Sequence, residues 1–210
     1  MSNPMTFCRT VAMLGSALAL TGCVSLGGGG EPPSSLVTLS SEVTAPAGSA
    51  HAGTQADTLA VHVPEAPASI DVLRIPVQVD DATIAYVADA VWVEKPARLF
   101  RRVVAETIRV ETGQLVIDGD DPSLFADSHL RGTLREFGYD ARSSSVVVRY
   151  DAIKSGAKGE VETRRFEAVE QAILPDAGSV APALNRAAND VARQVANWLS
   201  EEPPSEAAGE

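Results

Sequence analysis

Two segments of this chain repeat apolar residues at the helical period, and each does so on one side only. Between Pro96 and Gly113 the apolar positions are Leu99, Phe100, Val103, Val104, Thr107 and Ile108. Steps of three and four residues line one face of a 3.6-residue period. Arg98, Arg101, Arg102, Glu106 and Arg109 fill the other side and read as a solvated face. An arginine group of this kind can also bind acidic headgroups or a partner. Pro96 opens the helix and Gly113 stops it. The second segment runs from about Pro182 to Leu199, with Leu184, Ala187, Ala188, Val191, Val195, Trp198 and Leu199 as its stripe. Pro182 suits a first-turn position, and Ser179 is the nearby cap. Small side chains at Ala187, Ala188, Ala192 and Ala196 let this helix lie close on a sheet.

The intervening sequence switches to alternating patterns. Ser35 to Leu39 and Leu59 to Val63 read as strands, the latter ended by Pro64 and Pro67. Val72 to Val79 contains Pro76, which makes it an edge, a bend or two pieces. After the Asp80-Asp81 turn, Thr83 to Val87 and Ala90 to Val93 read as strands kinked at Ala88-Asp89. Gln114 to Ile117 is a short strand. His129 to Phe137, Ser145 to Ile153 and Glu160 to Val169 form an antiparallel meander. The last of these alternates Val161, Thr163, Arg165 and then shifts to Phe166 and Ala168, the pattern of a bulge. Ser40 to Thr58 is rich in Ala, Ser, Thr and Gly, so it is expected as a mobile loop, expendable for folding. Residues 201–210, acidic and containing Pro203 and Pro204, are expected as a disordered tail.

The N-terminus has a different grammar. Arg9 is the only charged side chain of the first ten residues, and Val11 to Leu20 is apolar throughout apart from Gly15 and Ser16. A basic start and a short apolar stretch are the marks of a secretory signal. The stretch is too short for a transmembrane helix, which needs about 20 residues. It ends in Leu20-Thr21-Gly22-Cys23, which resembles the bacterial lipobox. That resemblance implies removal of residues 1–22, thioether lipidation of the Cys23 sulfur and acylation of the new amino group, with palmitate-class chains. Residue 24 is Val rather than Asp, which in enteric-type sorting points to the outer membrane. Residues 23–34 then form a tether. Gly27 to Gly30 make it flexible and Pro32-Pro33 stiffen its end, with a reach of about 20 Å. Cys8 leaves with the signal, so Cys23 is the one cysteine of the mature chain.

Charge and motifs exclude several classes of function. Seventeen Lys and Arg against 28 Asp and Glu leave a net charge of −11. That is the wrong sign for general nucleic-acid binding or for a polybasic grip on anionic lipid. Aromatic residues make up 5%, so the core is mainly aliphatic, and Trp92 and Trp198 read as core or interface anchors. There is no G-x-S-x-G elbow and no Walker motif. Asp118 to Pro122 looks like a calcium loop, but Ser123 and His129 stand where an EF-hand needs Gly and Glu. It reads as a surface turn. His51, His62 and His129 lack a ligand partner at helical spacing. The expectation is a protein that is not an enzyme, with no catalytic, cofactor or metal residues and Cys23 as its one modified site.

The order of the pieces resembles a known family. Arg74-Ile75-Pro76-Val77, Ile84-Ala85-Tyr86, and Ala90-Val91-Trp92-Val93-Glu94-Lys95-Pro96 precede a helix with Leu99, and an Ala-rich helix closes on Asn197-Trp198-Leu199. With the lipobox ahead of them, these resemble the ABC-type transport auxiliary lipoproteins, the family of paraquat-inducible protein C. The family usually has an aromatic where Leu36 stands, and a shorter connection than Ser40 to Thr58. The resemblance implies one α/β (α+β) domain over 35–200, with a mixed, largely antiparallel sheet and two main amphipathic helices packed on one face. It further implies a lipid-anchored subunit on the periplasmic face of the outer membrane of a Gram-negative envelope. Its partners would be ABC transporter subunits and a mammalian-cell-entry-domain protein that carries lipid between membranes. A homo-oligomer is compatible with it. The alternative is a general envelope scaffold or assembly lipoprotein without a transport role.

Overall fold

The computed structural model describes residues 35–119 and 125–201, all within the unit Pro33–Glu210. The signal, Cys23 and the whole tether, Asp120 to Pro122 of the calcium-like turn, and the acidic tail after Glu201 lie outside the described residues.

The strands are β1 (Thr58–Val61), β2 (Arg74–Gln78), β3 (Ile84–Val91), β4 (Leu115–Ile117), β5 (Ser128–Asp140), β6 (Ser145–Ser155) and β7 (Val161–Glu170). The helices are α1 (Pro96–Thr112) and α2 (Ala177–Ser200). All seven strands belong to one mixed sheet organised on β5. The antiparallel meander forms as expected, with β5 against β6 from His129↔Ser155 to Asp140↔Ser145, and β6 against β7. β5 also pairs in parallel with β1 near its start and with β2 at its end. β4 extends the sheet in parallel from β1, and β3 in antiparallel from β2.

Both helices cover one face. Tyr150 and Phe166 are register partners, so their side chains point the same way. Phe100 of α1 meets the Tyr150 ring edge-on with centroids 5.3 Å apart, and Trp198 of α2 meets Phe166 at 5.6 Å. Val146, Val148, Tyr150 and Ala152 of β6 are buried beneath the helices, as are Val103, Val104, Ile108, Leu184, Val191 and Val195 above them. Trp92 is also core, 5.8 Å from Phe137. The alanine stripe of α2, buried at Ala187, Ala188, Ala192 and Ala196, brings its backbone close to β6 and β7.

Several local expectations change. α1 ends on Gly113 in the left-handed conformation at φ 68°, as a C′ glycine should. α2, however, begins five residues before Pro182, and Asp176 rather than Ser179 caps it. The Ser179 N–H donates to Asp176 Oδ1 at 2.9 Å, and the Ser179 hydroxyl to Oδ2 at 3.0 Å. A satisfied aspartate cap at the start offsets the one hydrogen bond that Pro182 forfeits inside the helix. Arg101 is buried rather than on the solvated face of α1. The bulge expected in β7 is absent, since β6 and β7 pair without interruption. The register shifts instead in β5, between Leu134 and Glu136. The kink at Ala88-Asp89 is a left-handed Asp89 (φ 55°) inside one continuous β3.

Pro76 is not on an edge, since β2 lies between β3 and β5, but it does mark a bend: the β2–β3 register shifts between Arg74 and Pro76. Gly138 makes its place inside the sheet tolerable. A Cβ there would stand 2.4 Å from the Pro76 carbonyl oxygen and 2.9 Å from its ring. Gly138→Ala is therefore expected to cost about 1–3 kcal/mol, read as a lowered denaturation midpoint at unchanged m-value; an unaltered midpoint would refute the close approach.

The N-terminal segment differs most. Ser35 to Leu39 is not a strand with a ladder. Val37 alone bridges Trp92, its N–H donating to the Val91 carbonyl at 2.8 Å while the Val93 N–H donates to its own carbonyl at 2.9 Å. Leu39 then drops to the core margin. Ser40 to Thr58 has no strand before Thr58 and one 3-10 turn, Gln55–Asp57. Its first six residues are strapped to both helices. The Ser40 and Glu42 N–H groups donate to Asn185 Oδ1 and Asn189 Oδ1, each at 2.8 Å, and the Ala45 N–H donates to Glu106 Oε1 at 2.8 Å. Composition suggested a segment that folding can spare. The backbone bonds of residues 40–45 remove that expectation for this part.

Candidate functional site

The sheet face turned away from the helices carries the charged side chains of the meander. Arg149 of β6 lies between Glu136 of β5 and Glu167 of β7 and pairs with both. One pleat along, Asp151 accepts from Arg135 at 2.8 Å and from Arg165 at 2.6 Å. The signs alternate across three strands and along β6, which is favourable for cross-strand neighbours. The hydrogen bond from Arg165, and then that from Arg135, hold the Asp151 carboxyl well below the usual carboxylate range. Its ionised form is thus favoured in the folded state. The stabilisation is complete above the unfolded carboxylate value of about 4 and is lost as pH falls below it. Asp151→Asn should lower the denaturation midpoint at pH 7 and flatten its further fall between pH 5 and pH 3. An acid limb as steep as that of the parent would show that Asp151 does not contribute.

Beside this lattice is a cleft of about 160 Å³ between β5 and the β2–β3 pair. Gly138 and Val147, register partners, form its floor, and Ile70, Pro76 and Ile84 its apolar walls. Arg142 stands at the rim, held by Asp140 at 2.9 Å and Asp81 at 2.6 Å. Hydrogen bonding from Arg142 holds the Asp140 carboxyl below its ordinary value. The rim cations are therefore already neutralised. The cleft is a small recess of mixed polar and apolar lining whose rim arginine, Arg142, is held by two carboxylates.

The structure brings two of the three histidines together. β1 and β5 pair in parallel, with Ala60↔His129 in register, and His62 Nε2 lies 3.0 Å from His129 Nδ1. Burial lowers the His129 pKa, with Arg131 adding to the shift and Asp127 opposing it. His51 stays apart in an exposed loop. Among the described residues, no three His, Cys, Asp or Glu side chains are grouped to hold a metal ion. On α1, Arg102 and Arg98 pair with Glu94, and Arg109 with Glu106 and, at 3.7 Å, with Asp118. The expected solvated face thus holds for Arg98 and Arg102, whereas Arg101 is buried and Glu106 also holds the Ala45 N–H. Sequence reasoning missed the ion lattice and the histidine pair because both depend on strand register. Its only trace in sequence was the alternating signs of Arg149 and Asp151, Arg165 and Glu167.

The model of the ABC-type transport auxiliary lipoprotein component matches residues 38–196. The chain belongs to that family. The match spans β1 through almost all of α2 and includes the strap. No curated protein matches the chain. Two solved structures share its fold. One is a Xanthomonas campestris protein of the DUF330 family, 19% identical, covering 79% of this chain and 94% of its own, with a TM-score of 0.65. The other is an uncharacterized protein, 14% identical, covering 68% and 92%, with a TM-score of 0.60. Membership in an ABC-type transport auxiliary lipoprotein family implies association with an ABC transport system in a Gram-negative envelope, in an auxiliary part. Among the described residues, no helix is long and apolar enough to cross a membrane.

Proposed function

We propose that this family member is exported, cut before Cys23 and lipidated there, and that it is the non-catalytic, lipid-anchored auxiliary subunit of an ABC system moving lipid through the envelope. In this reading it sits on the periplasmic face of the outer membrane and docks the bridge formed by a mammalian-cell-entry-domain protein. The observation that carries the reading is the order of two signatures: Leu20-Thr21-Gly22-Cys23, then a short tether, then a family match that begins at residue 38. The chemistry of the folded part supports it. The core is aliphatic around a cluster of buried aromatic rings, and the helix-free face is a charge-balanced lattice beside a recess of mixed lining. Such a face suits protein docking. An acyl anchor would raise the local concentration of this face near the membrane, strengthening weak docking without new contacts.

Cross-linking in intact cells followed by membrane solubilisation and pull-down tests the reading. The expected result is recovery of a mammalian-cell-entry-domain protein with transporter subunits, reduced when Val147→Arg fills the recess. Efficient cross-linking that yields only unrelated envelope proteins would overturn the transport role and leave a general scaffold.

A further inference from the structure

Residues 37–45 lie along the fold as a bound peptide would, with Val37 paired to the chain just after β3 and Ser40 to Ala45 held between α1 and α2. Asn185 and Asn189 are one helical turn apart on α2, and they accept the N–H groups of Ser40 and Glu42, two residues apart on the strap, each at 2.8 Å. The spacings agree: four helical residues rise about 6 Å and two extended residues about 6.6 Å. Asn189 also donates to the Ser40 carbonyl at 2.9 Å, so one amide satisfies an acceptor and a donor on the same edge of the strap backbone. It is 2% exposed, and an empty groove would leave these two bonds of a buried amide unmade. From α1, Glu106 Oε1 accepts the Ala45 N–H at 2.8 Å, and Thr107 Oγ1 lies 3.5 Å from Ser41 Oγ. Two side-chain preferences complete the site. Leu39 is an apolar anchor at the core margin, and Glu42 accepts from Arg193 at 2.6 Å. Backbone capture by helix-borne amides, with an apolar side chain and an acid three residues later, is peptide recognition rather than ordinary loop packing.

We propose that the α1–α2 groove is a binding site for an extended peptide, filled in cis by residues 37–45 and able to take the same residues from a second copy of the chain. The link to β1, residues 46–57, has no strand and turns through a left-handed Gly48 (φ 87°), which makes it the hinge for such an exchange. Exchange of identical segments needs no new contacts.

Two measurements test this on the mature chain. In the first, a protease site placed between Gly48 and Ser49 is cut after folding, and labelled peptides of residues 35–46 are added. The native peptide should bind by exchange, and a Glu42→Lys peptide about tenfold more weakly, with the order reversed when the protein carries Arg193→Glu. No binding, or equal binding of both peptides, would overturn the site. In the second, uncut Glu42→Arg and Arg193→Glu chains are mixed. Each alone opposes like charges in cis, whereas reciprocal exchange pairs opposite charges twice. Heterodimer should exceed either homodimer about tenfold at low salt. A mixture without heterodimer would overturn exchange between copies.

Discussion

Replacing Cys23 by Ser is expected to move essentially all of the protein from the membrane fraction to the soluble fraction of the envelope. Each buried methylene of an acyl chain contributes about 0.8 kcal/mol, and a single chain of ordinary length binds only marginally. Two or three chains on one residue give an anchor that does not exchange on the time scale of fractionation. Among the described residues no helix is long and apolar enough to cross a membrane, and the exposed Arg98 and Arg102 of α1 are already paired. The check is fractionation of the two forms together with mass spectrometry of the N-terminal peptide. An unmodified thiol at Cys23, or membrane retention of the Ser variant, would refute lipidation as the anchor.

The second large effect is in the core. Phe100 is 1% exposed, and its ring meets those of both Tyr150 and Phe137. It is where α1 locks onto β5 and β6. Phe100→Ala removes a large aromatic from a site fixed by two rigid rings, so the cavity has little scope to collapse. The expected cost is about 3–5 kcal/mol, or a fall in melting temperature of about 10–15 °C for a domain of this size. Calorimetry of the soluble form would measure it. A fall of only a few degrees would mean that α1 repacks over the sheet.

What the sequence disclosed follows the range of the interactions involved. α1 was legible almost to the residue because its stripe, Pro96 and Gly113 are all local. The meander was legible because three long alternating runs are separated by obvious turns. Placing both helices on one face rested on the family resemblance, and the Tyr150↔Phe166 register bears it out. Of the readings that Pro76 allowed, the bend is borne out by the register shift between Arg74 and Pro76, and the edge is not, because its tolerance inside the sheet depends on Gly138, which is 62 residues away. The start of α2 was misplaced because Pro182 is a stronger local signal than the Asp176 cap that outweighs it. The strap was invisible for a related reason. Ser40 to Ala45 has no periodicity of its own, and its partners Asn185, Asn189 and Glu106 announce nothing at their positions. The ion lattice depends on a bulge in β5 that sequence patterning assigned to β7.

The strap has a mechanical consequence. A pull applied from the N-terminal side reaches the domain first at the paired backbone of Val37, then at the amide clamps of Ser40 and Glu42, and only afterwards at β1. These attachments are few and lie in series, so they yield one after another while the sheet stays intact. Stripping residues 37–45 would release up to about 30 Å of extended chain. Residues 37–45 are thus expected to act as slack, released under load before the β1 ladders are disturbed.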